Sequence, residues 1–89
     1  MLPIRPTSRF EKDLKRDAKQ SRNIKKLQEV LEQLAIPAPL PSKHKDHKLK
    51  RDWIDFRECH IEPDWLLIYT ISDFELRPVR LGTHSELFD

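Results

Sequence analysis

Eighty-nine residues, 37% apolar and 36% charged, describe one domain spanning residues 1–89, whose core can hide about 60–65% of the unfolded surface. No apolar run approaches the ~20 residues that cross a bilayer, and Met1-Leu2-Pro3-Ile4-Arg5-Pro6 lacks the apolar centre of a signal peptide. The single cysteine, Cys59, excludes an internal disulfide and fits a reducing compartment, so a soluble cytoplasmic protein is expected.

The net charge of +2 hides an asymmetry. Residues 1–51 carry 14 Lys/Arg against 6 Asp/Glu, and residues 52–89 carry 3 against 9. A basic half of this size is an electrostatic footprint for a polyanion, because each phosphate it neutralises releases counterions. Lysines on the solvated faces of helices would give the same count.

Residues 2–5 read as a short edge strand between prolines. Ser8-Arg9-Phe10-Glu11 matches a capping box, and Phe10, Leu14 and Ala18 recur every four residues, which predicts a helix over about 9–20. Ser21 or Asn23 can cap a second helix, whose apolar face is Ile24, Leu27, Val30, Leu31 and Leu34 and which ends near Ala35. The short link makes the two an antiparallel hairpin. Pro37, Pro39 and Pro41 leave a stiff connector, and residues 42–51 form an aperiodic basic loop with five Lys/Arg and two histidines. The pattern then turns to period two, with strands over 53–60, 64–71 and 74–81 separated by turns at Pro63 and at Ser72-Asp73. The fold class is therefore α+β, with two N-terminal antiparallel helices on one face of a small, mainly antiparallel sheet.

Parity divides the middle strand into Trp65, Leu67, Tyr69 and Ile71 on one face and Leu66, Ile68 and Thr70 on the other. Both faces are largely apolar, so this is the central strand. On the last strand, parity puts Val79 and Leu81 on one face and Arg80 on the other. Gly82 allows a bend that would aim His84 back across the sheet.

Two stretches carry chemistry. Cys59-His60-Ile61-Glu62-Pro63-Asp64-Trp65 holds a base, an acid and an aromatic on a rigid hairpin, and Gly82-Thr83-His84-Ser85-Glu86-Leu87-Phe88 supplies a second histidine. Taken singly, each has an ordinary explanation. His60 can be a strand-end histidine, His84 a solvated one, and His44 and His47 part of a polar loop. Asp64 can simply close a turn, while Trp65 and Phe88 can be core. The case for function is coincidence: four histidines lie within residues 44–84 of a Lys/Arg-rich chain.

His47, the run from His60 through Asp64 and Trp65, and Gly82-Thr83-His84 with Leu87-Phe88 resemble the YafQ branch of the RelE/ParE superfamily of toxin–antitoxin ribonucleases. The resemblance covers nearly the whole chain. It implies a RelE-like fold and a toxin that enters the ribosomal A site, cleaves messenger RNA there and inhibits translation. It also implies a cognate antitoxin and, through that antitoxin, indirect contact with promoter DNA. Family roles fall on His47, His60, Asp64, Trp65, His84 and Phe88. Codon preference does not carry over.

The chemistry this implies needs no cofactor. The RNA 2′-hydroxyl is the nucleophile, and histidine, with an ordinary pKa of ~6.5, serves as acid or base near neutrality. His84 is assigned as general acid on the leaving 5′-oxygen and His60 or Asp64 as base, although an aspartate would need its pKa raised. His47 and neighbouring cations stabilise charge on the scissile phosphate. Lys43, Lys45, Lys48, Lys50 and Arg51 hold RNA, and Trp65 or Phe88 stacks on a splayed base, worth ~1–3 kcal/mol. Two other classes stay open. One is a non-catalytic binding toxin of the ParE type, which poisons gyrase or partners a repressor. The other is a metal-dependent hydrolase using a nitrogen/oxygen set drawn from His44, His47, His60, Asp64 and His84.

Overall fold

The computed structural model describes residues 1–36, 42–49, 53 and 55–88. Helix α1 (Ser8–Lys19) begins at Thr7, whose hydroxyl accepts from the Phe10 amide at 3.1 Å, so the cap lies one residue before the expected Ser8. The inward face also differs from the expected one. Asp13 and Asp17 are buried with Phe10, whereas Ala18 is exposed. Two carboxylates can sit inside because each is fully engaged, as described below.

Helix α1 closes with Ser21 in the left-handed region (φ 61°) and the Ser21 and Arg22 amides bonded back to Ala18 and Asp17. That arrangement usually takes glycine. Asn23, not Ser21, caps α2 (Ile24–Ala35), its side chain accepting from Lys26. Leu27, Val30 and Leu34 are buried in the core as the periodicity predicts, Ile24 and Leu31 pack half-buried against it, and Ala35 is buried as well.

The sheet is antiparallel, in the order β1 (His47–Lys48), β2 (Arg57–Glu62), β3 (Trp65–Ile71), β4 (Leu76–Gly82). The basic loop thus contributes a short 3-10 turn (Ser42–His44) and an edge strand. The expected strand over 53–60 starts only at Arg57, because Trp53 lies in a turn closed by the Phe56 amide on the Trp53 carbonyl. Residues 50–52 and 54 lie outside the described residues. The expected N-terminal strand reduces to one parallel bridge, Ile4 to Leu76, with Arg5 and Thr7 also bonded along β4.

Parity holds on β3. Trp65, Leu67 and Tyr69 join Phe10, Leu27, Val30 and Leu34 in the main core, whereas Leu66 and Ile68 join Leu87, Val79, Trp53 and Phe56 on the other side. On β4 it fails. The pairing skips Val79, so the bulge turns Val79 away from the face of Leu81. A short helix, α3 (His84–Phe88), follows β4 and was not expected. No helix among the described residues is long and apolar enough to cross a membrane.

Candidate active site

Of the candidate residues, His47, His60, Asp64, His84 and Phe88 gather toward the sheet face away from α1 and α2. Cys59 and Ile61 point into the main core, so Glu58 and His60 project to the opposite side with Leu66 and Ile68. His47 of β1 pairs directly with Glu58. The hairpin turn after β2 presents Asp64, and α3 sets His84 beside it. The His84 backbone amide donates to Asp64 Oδ1 at 3.1 Å, and its Nδ1 lies 2.7 Å from the same oxygen.

Two imidazole–carboxylate pairs result, with ring centroids of His60 and His84 5.7 Å apart. His60 Nε2 lies 3.3 Å from Glu58 Oε1, and His60 Nδ1 lies 3.2 Å from the Pro63 carbonyl. His47 Nε2 approaches the same Glu58 oxygen at 3.8 Å. Glu58 is only 5% exposed, so a buried carboxylate sits under two histidines. Asp64 is open to solvent. The two N–H groups of His84, backbone first and side chain second, hold its carboxyl below the usual carboxylate range. That direction is the wrong one for a general base, and it makes Asp64 the group that orients His84.

Trp65 is not available to a base. Its ring is fully buried, and Nε1 donates to Asp17 at 2.8 Å, because the β3 parity that puts Leu66 on the site face puts Trp65 in the main core. Phe88, 41% exposed, takes the aromatic position instead, 6.4 Å from the His84 ring and edge-on to Trp53 at 6.1 Å. Lys43, Lys45 and Lys48 are exposed along the same segment as His47, and Lys43 and Lys45 line a hollow of about 420 Å³ that reaches His60. Lys50 and Arg51 lie outside the described residues. His44 stays out of the cluster, its Nδ1 on the His60 carbonyl at 2.8 Å. The segment is anchored by Asp46, which pairs with Arg57 at 3.2 Å and accepts from the Tyr69 hydroxyl. Burial, chiefly, pushes the Tyr69 phenol up, which leaves it a poor proton donor.

Glu58 and Trp53 are the site residues that sequence reasoning missed. Glu58 had a signal, since it stands two residues before His60 on one strand. Helix α3 had one too. Thr83-His84-Ser85-Glu86 is a capping box, with Glu86 Oε1 accepting from the Thr83 amide at 2.9 Å and Thr83 Oγ1 from the Glu86 amide at 3.2 Å. Gly82 does not serve the expected bend through a left-handed backbone, for its φ is not positive. A Cβ there would lie 2.9 Å from Arg16 Nη2 and 3.1 Å from Glu86 Oε1.

Comparison with known proteins bears on the family and the fold. The family described as "Bacterial toxin of type II toxin-antitoxin system, YafQ" matches residues 2–89. The mRNA interferase toxin YafQ of Escherichia coli BL21(DE3) is 41% identical over 86 residues, covering 96% of this chain and 94% of that protein. In the crystal structure of the E. coli DinJ–YafQ complex, the similar chain is 38% identical with a TM-score of 0.90 and full coverage of both chains. A metal-bound toxin from Helicobacter pylori is 49% identical with a TM-score of 0.92, covering 99% of this chain and 100% of that one. On the match across residues 2–89 and these relatives, the chain belongs to the YafQ family of bacterial toxins of type II toxin–antitoxin systems.

Proposed function

We propose that this protein is a messenger-RNA endoribonuclease that acts on the ribosome and is held inactive by a cognate antitoxin. The observation that supports it most directly is the pair His60 and His84, with ring centroids 5.7 Å apart and each backed by its own carboxylate, while Lys43 and Lys45 line a hollow that reaches His60. The E. coli relative is named an mRNA interferase toxin, and an E. coli YafQ chain is seen with DinJ in a toxin–antitoxin complex. Ribosomes and messenger RNA place the action in the cytoplasm.

In this reading the 2′-hydroxyl attacks the adjacent phosphorus. His60, donating from Nδ1 to the Pro63 carbonyl, takes the hydroxyl proton on Nε2, and the nearby Glu58 carboxylate stabilises the imidazolium that forms. His84, fixed through Nδ1 by Asp64, delivers a proton from Nε2 to the departing 5′-oxygen. His47 with Lys43, Lys45 and Lys48 meets the negative charge, and Phe88 offers a face to an unstacked base. Lys50 and Arg51 belong to the same basic run.

The test is cleavage of ribosome-bound messenger RNA. Products should carry a 2′,3′-cyclic phosphate or 3′-phosphate and a 5′-hydroxyl, and a 2′-deoxy sugar before the cut should block cleavage while leaving binding intact. Toxicity without any RNA cleavage on ribosomes would return the protein to the binding-toxin class.

One observation keeps a second reading in view. Glu58, His60 and His84 bring ligand atoms within 4.8 Å of one another, a nitrogen/oxygen set that suits a borderline divalent ion, and the H. pylori relative is metal-bound. The set differs from the one expected, since Glu58 enters and His44, His47 and Asp64 stay out. An ion there would take one nitrogen from each of the two histidines that the acid–base reading uses for proton transfer. Added Zn²⁺ should therefore inhibit; activity lost to a chelator and restored by Zn²⁺ would favour the hydrolase.

A further inference from the structure

The geometry points to Arg16 as a positioning residue for His84, acting from helix α1 through Glu86 and the end of β4; this rests on the role proposed for His84. Helix α3 has five residues, too few to hold itself together in water, and His84 is its first. What fixes it must therefore lie outside it. Leu87 anchors its apolar side, and the Thr83–Glu86 box closes its start.

The guanidinium of Arg16 supplies the remaining constraint. It donates from Nη2 to the Leu81 carbonyl at 2.7 Å and from Nε to Asp17 at 3.0 Å, and Nε also lies 3.3 Å from Glu86 Oε2. Nη1 reaches Asp13 at 3.3 Å. Asp17 is itself pinned by Trp65, and Asp13 by Arg80 and the Leu81 amide. The planar fork is thus held on one side by buried carboxylates and on the other grips both the strand before α3 and the residue that caps it. It passes so close over Gly82 that a Cβ there would lie 2.9 Å from Nη2 and the fork would have to shift. Displacing the fork moves Glu86, and with it the backbone amide and ring of His84 that meet Asp64.

Arg16 partners two buried carboxylates, so its own replacement risks the fold. Gly82→Ala, which pushes on the fork, and Glu86→Gln, which keeps an acceptor for the Thr83 amide but ends the ion pair, test the same link. Both variants should fold by circular dichroism. Each should cleave ribosome-bound messenger RNA about 10–100-fold more slowly under single-turnover conditions, with half-saturating ribosome concentration within about twofold of the parent. In ¹H–¹⁵N spectra of the free protein, the His84 ring should lose the hydrogen-bonded Nδ1 signature that Asp64 confers. Folded variants with parental rates and an unmoved His84 signal would overturn the proposal and leave Arg16 a purely structural residue. The spectra read positioning without RNA, so a parent that cuts nothing while the signals shift would count against the nuclease reading alone.

Discussion

The two faces of the sheet are built to opposite ends from the same strands. On the helix side, Trp65, Leu67 and Tyr69 meet two twelve-residue helices, and among the described residues every buried side-chain polar atom, those of Asp17 included, is paired. On the other side, among the described residues, Leu66 and Ile68 meet Leu87 and the half-buried Leu49, Trp53, Phe56 and Val79, and β2 carries Glu58 and His60. One face carries the stability, which frees the other to hold charged and titrating groups at an open surface.

The largest effect that tests this division is Trp65→Ala. It removes a fully buried ring and leaves Asp17 a partner short, so denaturant unfolding should show a loss of about 3–5 kcal/mol. Weakened RNA binding at parental stability would mean instead that Trp65 meets the substrate. Next comes His84→Gln on the open face. Cleavage should fall ~10²–10⁴-fold while stability stays within about 0.5 kcal/mol, because the side chain is largely solvated. Comparable losses in rate and stability would erase the contrast between the faces.

Phe88→Ala should cost ~1–3 kcal/mol in affinity for programmed ribosomes and little in stability. Unchanged affinity would leave Phe88 as a lid on Trp53. The smallest effect is a titration. The Asp64 carboxyl lies below its ordinary 3.8, so the bonds to His84 are fully made above that value and are lost as pH falls through the lowered one. Carbon-13 titration should place the midpoint below that of an unperturbed aspartate, and His84→Gln, which keeps the backbone donor, should move it partway back. A parental midpoint at the ordinary value would detach Asp64 from His84.

Much of this was legible in the residues. Periodicity set α2 and the two faces of β3, and Pro63 marked the turn that carries Asp64. The errors have local causes. Thr7 and Ser8 both offer a hydroxyl, so cap chemistry alone could not choose between them. Period-four counting selected Ala18 over Asp17, since nothing in the chain order reveals the indole that makes a buried aspartate tolerable. The bulge at Val79 reversed a face that strict alternation had assigned.

The sequence by itself determined the two N-terminal helices, the two faces of β3 and the α+β class, because these follow from spacing along the chain and from side-chain chemistry. Tertiary structure alone decided that Glu58 lies beneath His47 and His60, that Trp65 is core while Phe88 is open, and that Gly82 is small because Arg16 lies against it. Those outcomes depend on which atoms meet across a strand pair or between distant segments, and such meetings are fixed by register, bulges and the close packing of the whole domain.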